Sequence, residues 1–491
     1  MLQSNDIKFR ITKASVFFFF AMLYGIISLV NHYMFRTNAH DYGIYNQTLW
    51  DYAHFRINNN SVIQPGFGNI LSDHFELLLM LISPFYYIFG SYTLLIFQVI
   101  SILVGGQGVF KYVELISENK KFALAASIHF FLFFAIYSAL AFDYHNNVPG
   151  TMTIPWIFYF IHKNQWKQTF FCLIILLISK ENMALWGFFI FISLIIKYRN
   201  EKKKILWSGI FAGICIVYFL LVVKLIIPSL GSSSGSGGNY LHFRYAALGS
   251  NMTEAIKTII TKPLYALKLL FVNHLGNPDY NYIKAELHII ILLSGGILLF
   301  FRPYYLLMLL PVYGQKMFCD YFTYWGLGYH YSIEFAPIIT IGAFTFLNDI
   351  KKEKTKNIIV YSLLIITAIV TAHTFDSTRT HFIRQKQRFY TKPHYVRNFD
   401  IKESYTSLKL IPADAKVCAQ DEFVSHLCFR RNIYVYPSIE DADYIYLNTN
   451  SNIYPYWDDK KYLSDIDSLR NAKEWENIYD KNFTLIFKRK K

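Results

Sequence analysis

Long apolar runs alternate with short polar ones along the first three quarters of the chain, and the alternation stops near residue 374. The first run, 14–31, reads ASVFFFFAMLYGIISLVN and follows Lys8, Arg10 and Lys13. Ten more fall at 92–113, 122–142, 148–162, 168–179, 183–196, 205–227, 285–301, 303–318, 332–347 and 357–373. Several approach the ~20 residues that carry a helix across a bilayer. The pattern therefore predicts about 11 transmembrane helices, with residues 1–374 as the membrane domain. The stretch HFELLLMLISPFYYIFG has a shorter apolar core interrupted by Pro84. It reads as a helix lying in the interface rather than a span.

Residues 375–491 are polar and contain no run of spanning length. AKVCAQ, NIYVYP, ADYIYLN and FTLIFK have strand composition, and DEFVSHL reads as a short helix after the first of them. A small α/β domain is expected there. PSLGSSSGSGG (228–238) reads as a flexible segment opening a long loop to about 283. Within that loop, TEAIKTIITKPLYALKLLFVNHL has the pattern of an amphipathic helix broken at Pro263. No internal repeat is visible.

Composition agrees with the pattern. Of 491 residues 54% are hydrophobic and 16% charged, and mean hydropathy is +0.25, whereas soluble proteins carry about 25% charge. The net charge of +15 would suggest nucleic acid in a soluble protein. Here Lys and Arg cluster between apolar runs, as in KYRNEKKK (197–204) and KKEKTK (351–356), without a nucleic-acid motif. Clusters of this kind mark cytoplasmic loops. They place the N-terminus in the cytoplasm, and loops 32–75 and 228–283 and the C-terminal domain outside it. The first run lacks a small-residue cleavage site and reads as a retained span. Five scattered cysteines show no metal or redox spacing.

The chemistry-bearing residues gather on the non-cytoplasmic side of this scheme. HDYGIYNQTLWD (40–51) follows the first span and SDHFE (72–76) closes the same loop. FDYHNN (142–147), SKEN (179–182) and GYHYSIEFAP (328–337) stand at the outer ends of later spans. Ionisable groups near membrane depth are costly and mark functional sites by default. Asp41 is the leading candidate site residue, with His74, Lys180, His330, Tyr331 and Arg244 as candidate binding residues. Asp73, Asp143, His145 and Glu181 are candidates for orienting an acceptor or holding a divalent cation of unspecified identity. Blander roles compete. Asp73 fits a helix N-cap with Glu76 completing a capping box, and Asp51 reads as a solvated residue.

An acid just after the first span, interfacial helices in an outer loop, about 11 spans and an external C-terminal domain resemble the GT-C membrane glycosyltransferases. Those using polyprenyl-phosphate sugars are the most similar in layout. The order DYGIYNQ, SDHFELLLMLISPFYYIFG, FDYHNN, SKENMAL, GYHYSIEFAP, IPADAKV resembles a bacterial and archaeal group of uncharacterised membrane proteins usually placed with GT-C. The fold implied is an α-helical polytopic membrane protein, GT-C-like, with a small α/β extracytoplasmic domain, in the bacterial inner membrane. The resemblance implies that Asp41 is the catalytic carboxylate and that Lys180 holds the lipid phosphate. Its partners would be a lipid-linked sugar donor, membrane lipid and a glycan, lipid or protein acceptor. The polyprenyl-dependent relatives carry a Lys-Pro-Pro helix where this chain has His74. The rival expectations are a transporter or flippase of a lipid-linked or polar solute, and an envelope scaffold.

Overall fold

The structure is a computed structural model describing residues 2–57, 60–64, 67–231, 243–380 and 384–490. Most of the Gly/Ser segment therefore lies outside the described residues. Every one of the eleven apolar runs carries helix. Among the described residues, five helical stretches are long and apolar enough to cross a membrane: Asp6–Tyr33, Leu78–Ser117, Lys202–Gly231, His330–Asn348 and Glu353–Asp376. A sixth, Lys120–Leu132 with Phe134–Ala141, is bent by 43°. Five to six candidate spans thus stand by length and composition, and the expected eleven are not shown. The remaining runs form shorter or broken helices, such as Trp166–Ser179 and Glu181–Lys197, which meet at Lys180.

The stretch Leu78–Ser117 is itself interrupted. Gly90 has φ +53, a left-handed conformation that costs glycine little. The turn separates helix Thr93–Ser117, long enough to span alone, from the short helices Leu78–Ile82 and Tyr86–Phe89. These leave Leu81, Phe85 and Ile88 exposed, which fits the interfacial reading of this stretch.

One large apolar core joins the helices, from Tyr24 through Phe131 and Trp186 to Phe344. Small residues permit the closest approaches. A Cβ on Gly106 would lie 2.2 Å from the Phe131 ring, so helix Thr93–Ser117 can pack there only because that position is glycine.

The C-terminal region forms a five-stranded sheet of β1 (Val417–Ala419), β2 (Ile433–Val435), β3 (Tyr444–Asn448), β4 (Trp475–Lys481) and β5 (Thr484–Arg489). The order is β2-β1-β3-β5-β4. β1 pairs in parallel with β2 and β3, and β5 pairs antiparallel with β3 and β4. Each expected strand is present, as is helix Asp421–Leu427 after β1. β4, exposed along most of its length, was not expected. Asn482 and Phe483 both have positive φ and form the two-residue turn that favours a β4–β5 hairpin.

This sheet packs onto the loop after the first helix. Phe35, Ala39 and Val62 share a core with Phe423, Val424 and Ile433. Arg36 donates to the carbonyls of Pro393, His394 and Val396, so the chain leaving the last span is strapped to the end of the first.

Candidate functional site

Asp41 lies in a wide helical turn, Ala39–Gly43, that runs directly into helix Ile44–Ala53. Wide turns of this kind recur at functional sites. This one is held from outside: the Asp421 carboxylate accepts from Ala39 N at 2.9 Å, and a Cβ on Gly43 would meet Val424 at 3.0 Å. The Asp41 side chain keeps 34% exposure and opens onto a cavity of about 200 Å³. The cavity sits where the ends of several helices converge. Its walls include Asp41, Asp73, His74, His145, Lys180, His330 and Tyr331. Seven of the ten expected site residues are therefore brought to one space.

On the first wall, His145 Nε2 lies 3.5 Å from Asp41 Oδ1. The His145 ring stacks on His330 at 3.5 Å between centroids, and Phe142 stacks against both. Both histidines are buried, and each has an Nδ1 without a partner among the described residues. Burial alone would raise the Asp41 carboxyl. The His145 imidazole, with Lys386 and His40 behind it, pulls it below its ordinary value instead. Asp41 is therefore a carboxylate at neutral pH, free to accept a proton.

On the second wall, Lys180 is the extended hinge between helices Trp166–Ser179 and Glu181–Lys197. Its Nζ lies 3.7 Å from Glu76 Oε1. Burial lowers its ammonium, but Glu76 and Glu181 outweigh that and raise it above its ordinary value. His74 Nδ1 meets Glu181 Oε1 at 2.9 Å, and Phe75 N donates to the other Glu181 oxygen. Burial and Lys180 disfavour the charged imidazole, yet Glu181 and Asp73 raise His74 above its usual range. The cavity thus brings the Asp41 carboxylate together with the Lys180 ammonium and the His74 imidazole, each held by a glutamate.

Two expected residues stand behind these walls. Asp143 is in the left-handed region at φ +61, which Asp tolerates better than most residues. Lys386 pairs with its Oδ1 at 3.0 Å, and Asn38 N donates to Oδ2 at 3.0 Å. Asp143 therefore ties the loop bearing Asp41 to the turn bearing His145. Glu181 positions His74. Among the described residues no three His, Cys, Asp or Glu side chains converge as a metal-binding group.

Three expectations are corrected. Arg244 does not line the cavity. It is exposed over the Tyr321 ring at 5.4 Å, because Asp320 N donates to its carbonyl and the Asp320 carboxylate accepts from Ala246 N. The capping box does not form: Asp73 follows the turn Ile70–Ser72, and Glu76 turns inward to accept from Tyr45 and Asn146. Asp51 is not solvated but 6% exposed, and burial pushes its carboxyl up to about 6.

Glu76, His40, Tyr45 and Tyr52 also line the cavity and were not singled out as site residues. His40 adjoins Asp41 in sequence and was within reach of the same argument. Lys386 and Asp421 carried no local signal, since only the folded chain brings them to residues 38–41.

The fold and site define a polytopic α-helical membrane protein in which a carboxylate, a lysine and histidines line one cavity at the ends of its helices. The chain belongs to the family described as "Predicted membrane protein (DUF2079)", whose model matches residues 31–485. No curated protein matches it.

Proposed function

We propose that this protein is a GT-C type membrane glycosyltransferase. It moves a sugar from a polyprenyl-phosphate-linked donor to an acceptor outside the cytoplasm, a cell-envelope glycan, lipid or protein. The observation that carries the reading is that Asp41, Lys180 and His74 line one cavity. A lipid-linked donor keeps its chain in the bilayer and its phosphate near the headgroups, so transfer must occur where spans end.

In the proposed step, the acceptor hydroxyl attacks the anomeric carbon from the face opposite the phosphate. Asp41 takes the hydroxyl proton as the new C–O bond forms. The bond from the anomeric carbon to phosphate oxygen breaks, and polyprenyl phosphate leaves with the electron pair. Lys180 and His74 stabilise the charge on the departing phosphate. His330, stacked on His145, and Tyr331 border the same space and contact the donor headgroup. Asp73 and His145 orient the acceptor. Asp143 and Glu181 act through the neighbours they hold.

In this reading residues 1–374 are the membrane domain, residues 375–491 are an extracytoplasmic domain, and the N-terminus is cytoplasmic. The membrane is the bacterial inner membrane. The reading is tested by mass spectrometry of surface glycans and lipid-linked sugars from cells with and without the protein. Loss of one glycan with accumulation of one lipid-linked sugar supports it. Identical profiles refute it.

A further inference from the structure

The helices Met252–Thr261 and Pro263–Leu269 take no part in the cavity. They are ten and seven residues long, well short of the ~20 needed to cross a bilayer, and Lys262 breaks the chain between them. Their back face is fixed to the protein. Ala255 and Leu269 pack with Leu248 and Phe318. The carbonyls ending the second helix are taken by Lys284, which donates to Leu269 O at 2.6 Å, and by His288, whose Nε2 meets Leu270 O at 3.0 Å.

The front face is apolar and bare. Ile256 and Ile260 on the first helix, Leu264 and Leu267 on the second, and Phe271 just after it are all exposed, Leu264 at 80%. An apolar surface this extended on an element packed against the protein is covered in the working protein. Lys257, Lys262 and Lys268 are exposed beside it. The one acid in the pair, Glu254, is engaged by Ser250 N and Oγ. The segment also lies at the cavity's end of the molecule, since Arg244, just before it, reaches Tyr321, and Tyr324, in the same short turn of chain, lines the cavity.

We propose that this helix pair is an in-plane lipid anchor that buries its apolar face at the bilayer interface and engages anionic headgroups through Lys257, Lys262 and Lys268. An apolar face edged by lysines is what such a surface requires, and each lysine adds attraction to anionic lipid. The inference does not rest on the proposed activity.

The test is site-directed spin labelling of the full chain in nanodiscs. All five native cysteines are buried, so Leu264→Cys and, separately, Ile260→Cys direct a nitroxide to that face. Collision with oxygen is compared with collision with a water-soluble nickel chelate. The expected result is preference for oxygen at both positions, increasing several-fold when phosphatidylglycerol is added to phosphatidylcholine. That increase is expected to vanish when all three lysines are changed to Gln. Preference for the nickel chelate places the face in water and overturns the proposal. Exclusion of both probes means that protein covers the face and also overturns it. Equal oxygen preference in neutral and anionic bilayers overturns the assignment of headgroup charge.

Discussion

Replacing Lys386 with Met tests whether the segment after the last span secures the candidate site. The Lys386 and Asp143 side chains are 1% and 4% exposed and 3.0 Å apart. At an effective dielectric near 20, two unit charges at that distance attract by roughly 5 kcal/mol. Desolvation of the two ions offsets most of this, so the intact pair contributes little compared with two apolar groups. Removing one partner is different. Lys386→Met leaves a buried carboxylate uncompensated and is expected to cost about 3–5 kcal/mol. The doubly neutral Asp143→Asn, Lys386→Met variant is expected to recover most of that. The Asp143 carboxyl is already raised by burial despite its partner, and losing Lys386 raises it further. A folded-state value above the unfolded one adds stability at low pH and loses it as pH rises through the folded value. The deficit of the single variant should therefore be largest at high pH and shrink as pH falls through the raised Asp143 value. Thermal unfolding in detergent, followed by reaction of the buried thiols Cys418 and Cys428, measures it. A single variant that melts like the native chain, or a double variant no better than the single, refutes the reasoning.

Other perturbations follow from the same structure. Asp51 has its carboxyl raised from 3.8 to about 6 by burial, so its stabilising protonated form is lost as pH rises through about 6. Asp51→Asn should melt above the native chain at pH 7.5 and equal to it at pH 4. A pH-independent difference would contradict this. Gly106→Ala should destabilise, because its Cβ would overlap the Phe131 ring, whereas Gly209→Ala, with nothing within 4 Å of its Cβ, should be neutral or slightly stabilising; equal melting of the two variants removes the packing argument. Lys180→Ala should weaken binding of a polyprenyl-phosphate sugar to the purified protein at least tenfold. Unchanged affinity takes Lys180 out of the phosphate site.

Much of the membrane architecture was legible in the sequence because bilayer burial writes a long, simple pattern. The apolar runs became helices, but the count of spans did not follow. Runs such as 168–179 and 285–301 are apolar yet short or broken, and hydropathy alone does not separate a spanning helix from a shorter apolar one. The strand segments of the C-terminal sheet were readable from β-branched and aromatic residues, except β4, whose mostly exposed WENIYDK pattern looks like surface. Most of the cavity's ionisable groups were legible from their clustering at one end of the spans. What was not legible depends on tertiary partners. Lys386 and Asp421 matter through Asp143 and Ala39, which are more than two hundred residues away in sequence. The burial of Asp51 depends on packing around helix Ile44–Ala53. Arg244 stands outside the cavity lining, and a basic residue in a polar loop gives no indication of which way the loop turns.

Asp41→Asn keeps the size of the side chain and removes its capacity to take a proton. The decisive measurement is the surface glycan and lipid-linked sugar profile of cells whose only copy carries this variant, with its amount in the membrane verified. Loss of a general base costs about 10²–10⁴-fold in rate, so the glycan should fall to the level of cells lacking the protein while the lipid-linked donor accumulates. A variant present at native level with an unchanged glycan would contradict the assignment of Asp41 as the base.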